Sequence, residues 1–111
     1  MVYFALKFKN SKNGAIVYKK DGLYYIRITN TTIMVYGKTL DEAIDELDKA
    51  LSGIFDLGDK NKIKTFIRKD TLLEKIEFIY GLLISHLINK IPKQNSNKIN
   101  NIGNHMGVLH A

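Results

Sequence analysis

The sequence predicts an α+β fold, in which an antiparallel sheet of three or four strands carries one packed helix and is followed by a second, hydrophobic helix. Apolar and polar residues alternate through most of residues 2–36, and Asn-Gly and Asp-Gly turn signals separate the alternating segments. A capped amphipathic segment follows at 40–55, and a nearly all-apolar helical segment spans 71–90. Short links between successive strands favour antiparallel pairing in chain order.

Four strands are predicted in succession. The first, VYFALKFK, places Phe4, Leu6 and Phe8 on one face. The second, AIVYKK, joins the third, LYYIRIT, through a tight Asp21-Gly22 turn. A short fourth strand around IMVY completes the meander.

The first helix is predicted over residues 40–55. Thr39 is a suitable N-cap, and Glu42, three residues later, completes a capping box. The acids of this segment fall on the face opposite its apolar stripe: Asp41, Glu42, Asp45, Glu46 and Asp48. We interpret them as the hydrated outer face of the helix, with a docking surface for a basic partner as the alternative. Exposed carboxylates are poor candidates for metal binding or acid–base catalysis.

The second helix is predicted after a basic strand. The segment KIKTFIR, residues 62–68, alternates like a fifth strand. Thr71 and Glu74 form a second capping box, which opens the helix at 71–90. Because this helix has so little polar surface, it must be buried on several sides, and we expect a homodimer interface. The predicted interface residues are Leu72, Ile76, Ile79, Leu83 and Leu87.

The chain is expected to have three regions. Residues 1–58 form a ββββα domain, and residues 59–92 form the basic strand and the hydrophobic helix for dimerisation. Residues 93–111 are rich in asparagine and aperiodic, so their composition predicts a flexible tail.

Composition excludes several classes of protein. The 111-residue chain is 45% hydrophobic and 10% aromatic, as in a globular protein. It has no cysteine, which excludes disulfides, thiolate zinc sites and cysteine nucleophiles. We expect no signal peptide and no membrane span, and hence a cytoplasmic protein. Because no nucleophile elbow, phosphate loop or metal-ligand cluster is found, we expect neither enzyme activity nor a metal or cofactor.

Charge is segregated along the chain. Residues 1–38 carry seven bases and one acid, residues 39–59 seven acids and one base, and residues 60–111 nine bases and three acids, giving +6, −6 and +6. This pattern suggests internal charge complementarity or two partners of opposite sign. Two groups are candidate nucleic-acid contacts, although a wet sheet face and a solvated edge strand explain them equally simply. They are Tyr25 and Arg27 on the third strand, and Lys60, Lys62, Lys64, Arg68 and Lys69.

Two segments, YKKDGLYYIRI and YGKTLDEAIDELDKAL, resemble the HicB-like antitoxin family over roughly residues 15–55. KIKTFIRKDTLLEKIEFIYGLLISHLINKI is similar in outline to the ribbon-helix-helix unit that some members add for DNA binding, with a strand, a helix, Gly81 and another helix. The residues that match the Gly-x-Thr-Leu-x-Glu-Ala segment of the family are Gly37, Thr39, Leu40, Glu42 and Ala43.

The resemblance implies a non-enzymatic antitoxin or regulator that binds a small protein partner and, as a dimer, DNA. Two alternatives stay open. One is an interaction module of a virus or mobile element that docks on a host protein. The other is an RNA- or single-strand-binding protein whose sheet uses Tyr25 and Arg27.

Overall fold

Turn and capping residues decide where the elements of this chain begin and end. The computed structural model describes residues 1–8, 13–56, 60–88 and 97–99. It confirms the predicted α+β fold, with a four-stranded antiparallel sheet and two main helices. The elements are β1 (Val2–Lys7), β2 (Gly14–Lys20), β3 (Leu23–Ile28), β4 (Met34–Gly37), α1 (Leu40–Asp56), α2 (Lys60–Lys64) and α3 (Leu72–Ile88).

The sheet is a meander with the strand order β1-β2-β3-β4, and each neighbouring pair is antiparallel. Asp21 and Gly22 join β2 to β3 with φ angles of 53° and 78°. Both are left-handed, as a tight type I′ hairpin requires. A β-bulge interrupts the pairing of β1 between Val2 and Phe4. Because of this strand order, β1 and β4 form the two edges of the sheet.

One face of the sheet packs against α1 and forms the hydrophobic core. Phe4 pairs with Val17 and Val17 pairs with Ile26, so these three side chains share that face. The helix buries Ile44 and Leu47 against them.

The predicted N-cap of α1 is present, because the hydroxyl of Thr39 accepts the N–H of Glu42 at 3.1 Å. The capping box is only half formed, because the Glu42 carboxylate accepts the N–H of Lys38, at 3.0 Å, in place of that of Thr39.

Helix α3 packs on the opposite face, mainly over β1 and β2. A side-chain carbon added at Gly81 would lie 2.6 Å from the Cβ of Ala5, and one at Gly14 would lie 2.6 Å from the ring of Phe78. Both glycines therefore let the helix approach the sheet closely. The helix is continuous through Gly81, so the second helix of a ribbon-helix-helix unit does not begin there.

The prediction of a fifth strand at 62–68 is wrong. The short helix α2 occupies the start of this segment, and the hydroxyl of Thr65 donates to the carbonyl of Lys62 at 2.6 Å. Ile67 then forms an isolated β-bridge with Thr31. The chain must cross here from the face covered by α1 to the face covered by α3, so it runs past the end of the sheet and not along an edge. The basic ribbon expected for DNA binding is not formed.

The predicted tail at 93–111 lies outside the described residues, except for residues 97–99. Those three residues are helical, and Ile99 is fully buried in the core. The ammonium of Lys98 lies 3.7 Å from a carboxylate oxygen of Asp41 on α1. At these three residues the chain packs on the domain, in contrast to the flexible tail that composition predicted.

Alanine substitutions at two helical glycines separate helix propensity from packing. Gly53 of α1 is exposed, and a side-chain carbon there would meet no atom within 4 Å. We expect Gly53→Ala to raise the free energy of unfolding by up to about 1 kcal/mol. We expect Gly81→Ala to lower it by about 1–3 kcal/mol, because the added methyl overlaps Ala5. Urea unfolding followed by circular dichroism measures both, and equal stabilisation would contradict the close approach of α3.

Candidate interaction surfaces

A buried ion pair joins the start of α3 to the sheet. Nη1 of Arg27, on β3, lies 2.9 Å from Oδ1 of Asp70 and 3.5 Å from a carboxylate oxygen of Glu74. Arg27 is only 7% exposed and Asp70 only 8%. Because both charges are buried, each depends on the other for compensation. This pair holds the residues that lead into α3 against the sheet.

Arg27 is therefore buried and paired with carboxylates, which weighs against its predicted role as a phosphate contact. The start of α3 closes over this part of the sheet and supplies the counter-charges. Tyr25 lies beside it in a groove that Glu74 and Glu77 also line. Lys20 and Arg27 line the same groove, so its charge is mixed, and the role of Tyr25 in base stacking stays a prediction.

Asp70 also fixes the turn between β3 and β4. Its carboxylate oxygen accepts the backbone N–H of Asn30 at 2.9 Å, and its own N–H donates to the side-chain oxygen of Asn30 at 3.1 Å. Asn30 has a φ of 57°, a left-handed conformation that asparagine tolerates better than most residues. Thr32 N–H donates to the carbonyl of Phe66 at 2.8 Å in the same contact. Asp70 thus serves as the link between this turn and α3.

The predicted basic segment is only partly open. Both carboxylate oxygens of Glu74 accept hydrogen bonds from Arg68, at 2.9 and 2.8 Å, which neutralises the guanidinium. These bonds and one from the N–H of Thr71 lower the pKa of Glu74 from 4.5 to about 2. Three predicted bases, Lys62, Lys64 and Lys69, are exposed, and the side chain of Lys60 lies outside the described residues.

The outer face of α3 is apolar and exposed. We define the α3 face as the large apolar side chains of this helix that point away from the sheet and are each more than half exposed. All five predicted dimer residues belong to it, together with one leucine and one tyrosine. The residues of the α3 face are Leu72, Leu73, Ile76, Ile79, Tyr80, Leu83 and Leu87. Their exposed fractions run from 54% for Ile76 to 79% for Leu87.

A groove continues the α3 face to the β1 edge of the sheet. Leu6 and Lys7 of β1 form one wall, and Ile79, Leu83 and other residues of α3 form the other. Apolar surface on this side of the molecule therefore extends from the helix to an edge strand. Large contiguous apolar surfaces of this kind mark sites of protein–protein or membrane interaction.

Two other kinds of site are absent from the part of the chain that the structure describes. Among the described residues, no group of three or more histidine, aspartate or glutamate side chains is arranged to hold a metal ion. No helix in the same residues has the length and apolar character needed to cross a bilayer.

Comparison with known proteins gives no match. No protein-family model, no curated protein and no solved structure matches this chain. The resemblance to HicB-like antitoxins therefore stays a prediction from the quoted segments.

Removing the carboxylate of Asp70 should weaken the contact between α3 and the sheet and destabilise the protein. We expect Asp70→Asn to lower the free energy of unfolding by about 3 kcal/mol, because a buried guanidinium loses its partner. The matched control is Asp48→Asn, which changes an exposed carboxylate of α1 and should shift stability by no more than about 0.5 kcal/mol. Urea unfolding measures both, and similar effects of the two changes would contradict the buried pair.

Acid should weaken the protein through Glu74. Since the pKa of Glu74 is lowered to about 2, its ionised form contributes stability above about pH 5, and this contribution is lost between about pH 5 and about pH 2. The variant Glu74→Gln should therefore be less stable than the wild type at neutral pH, and this difference should shrink as the pH falls through that window. Urea unfolding midpoints of the wild type and the variant, measured between neutral pH and about pH 2, test this prediction. A stability difference that does not change with pH would contradict it.

Proposed function

We propose that this chain is a non-enzymatic, cytoplasmic binding protein, an HicB-like antitoxin or regulator. It forms a homodimer through the α3 face and binds a small protein partner. The observation that carries the proposal is the α3 face itself: seven large apolar side chains, each more than half exposed, on one side of one helix. Their exposure to water is unfavourable, and a second protein surface relieves it.

The spacing of the α3 face favours a second copy of the same helix. Leu72, Ile76, Ile79 and Leu83 follow one another at intervals of four, three and four residues, the spacing with which paired helices interdigitate. No charged residue interrupts this row, so two copies can meet without desolvating a charge. Ile79 lies near the middle of the row and would face the two-fold axis of an antiparallel pair.

The size of the α3 face also fits a dimer. If each of its side chains exposes on the order of 80 Å² of apolar surface, the face reaches roughly 600 Å², the upper end of what monomers expose. A specific interface buries about 800 Å² on each partner. The groove beside the β1 edge, lined by Leu6 and Lys7, adds area next to the α3 face.

The HicB-like part of the proposal rests on the quoted sequence segments and on the charge pattern. The acidic block at 39–59 suits a small basic protein partner. DNA binding takes second place, because the ribbon is absent and Arg68 is paired with Glu74. The exposed bases that support it are Lys62, Lys64 and Lys69.

The proposal is tested by placing a charge in the middle of the α3 face. Ile79→Lys should convert the dimer to a monomer, because two ammonium groups would be buried together. The matched control is Ile67→Lys, the same change at a side chain that is 44% exposed on the loop before α3. In sedimentation velocity runs at several concentrations, the control should keep the dimer.

The melting temperature supplies an independent readout. A dimer gains stability with concentration, so the melting temperature of the wild type should rise on concentration. It should be lower and independent of concentration for Ile79→Lys. If Ile79→Lys and Ile67→Lys behave alike, with no association in the wild type, then the α3 face does not pair with itself. A docking role on another protein would then replace the dimer.

A further inference from the structure

The second edge of the sheet, strand β4, is open as far as the described residues show. It pairs with β3 on one side, and no strand within the described part of the chain pairs with the other. Proteins protect exposed edge strands with bulges, lysines or prolines. At the opposite edge, β1 has such a bulge after Val2 and ends in Lys7. The residues of β4, MVYG, include no charge and no proline, and Met34 and Tyr36 are 55% and 63% exposed.

A groove runs along β4, with α1 as its wall. Met34 and Tyr36 line the strand side, and Asp45, Glu46 and Lys49 line the helix side. Asp45 takes part in none of the ion pairs of the described residues, and Glu46 pairs only loosely with Lys49, at 3.6 Å between two exposed side chains. The wall of the groove is therefore a net negative surface within reach of the open edge.

Strand pairing fixes how an added segment would sit in this groove. Side chains of a strand alternate between its two faces. Val35 pairs with the core residue Ile26, so it points to the face that α1 covers, while Met34 and Tyr36 point to the other. An added strand would therefore place every second side chain beside the acidic wall and the remaining ones beside Met34 and Tyr36.

We propose that β4 accepts an extended segment of a partner protein, which adds a fifth strand to the sheet and alternates basic with apolar side chains. Backbone hydrogen bonds to β4 supply the affinity, and the side chains on the two faces supply the selectivity. Lysine or arginine faces Asp45 and Glu46, and apolar side chains cover Met34 and Tyr36. The net negative charge of the groove disfavours a nucleic acid, because it repels phosphate.

The site depends on the protein-binding role proposed above, and it assigns that role to a particular edge. It does not use the α3 face, which lies over β1 and β2 on the opposite face of the sheet. Dimerisation and strand addition can therefore be tested one at a time. All residues of the groove belong to one chain, so a monomer already has a complete site. The proposed dimer would contain two such sites.

The test uses the full-length, ¹⁵N-labelled protein and a synthetic peptide of about eight alternating lysine and valine residues. We expect the largest amide shifts in residues 34–37, with binding that weakens as salt is added. A peptide of alternating glutamate and valine should not bind. A lysine–valine peptide methylated on alternate backbone nitrogens should bind at least about tenfold more weakly, because it cannot pair as a strand.

Charge reversal on α1 tests the wall of the groove. The variant Asp45→Lys should weaken binding of the lysine–valine peptide by about tenfold or more. The matched control is Asp48→Lys, on the same helix but outside the groove, which should weaken it by less than about threefold. Equal effects of both variants would show attraction to net charge alone and would overturn the site.

Two further outcomes would also overturn the inference: equal binding of the methylated peptide, or amide shifts concentrated on α3. The monomeric variant Ile79→Lys keeps this result separate from the proposed dimer. It should bind the peptide as the wild type does, so strand addition stands if dimerisation fails. Conversely, if the wild type forms a dimer but binds none of the peptides, the β4 site is ruled out and the proposed dimer is not affected.

Discussion

The uncovered apolar face of α3 is the constraint on which the rest of the structure depends. Helix α1 covers one face of the sheet completely enough to form the core. On the other face, α3 approaches the sheet closely at Gly81, which packs against Ala5, and Glu74 of α3 lies near Arg27. The helix thus packs Phe78, Gly81 and Ile84 towards the sheet, while the seven large apolar side chains of the α3 face lie in water. A soluble domain reverses that arrangement unless another surface covers the helix.

The electrostatics of the chain divide the surface in a consistent way. Arg27 and Arg68, which a linear reading assigns to nucleic acid, neutralise Asp70 and Glu74 and fasten α3 to the sheet. The acids of α1 remain exposed beside the open β4 edge. The proposed self-association and the proposed partner binding therefore use opposite edges of the sheet, so one need not obstruct the other.

Local signals predicted most of the fold. The N-cap of α1, the capping box of α3 and the Asp21-Gly22 turn depend on neighbouring residues only, and each is present. What failed depended on distant residues. Arg27 looked like an open base because Asp70, its partner, is 43 positions away. Apolar and polar residues alternate in segment 62–68 as they do in a strand. This local pattern contains no information about the path of the chain, which crosses the end of the sheet there. The α3 face was predicted from its excess of apolar residues, whereas the open β4 edge required the strand order.

The solution mass of the wild-type chain tests the central claim most directly. Sedimentation equilibrium at micromolar concentration should give twice the chain mass of 12.7 kDa, with dissociation on dilution. A single species of 12.7 kDa that stays soluble at high concentration would contradict the account. The leucines and isoleucines of α3 would then face water in the working protein.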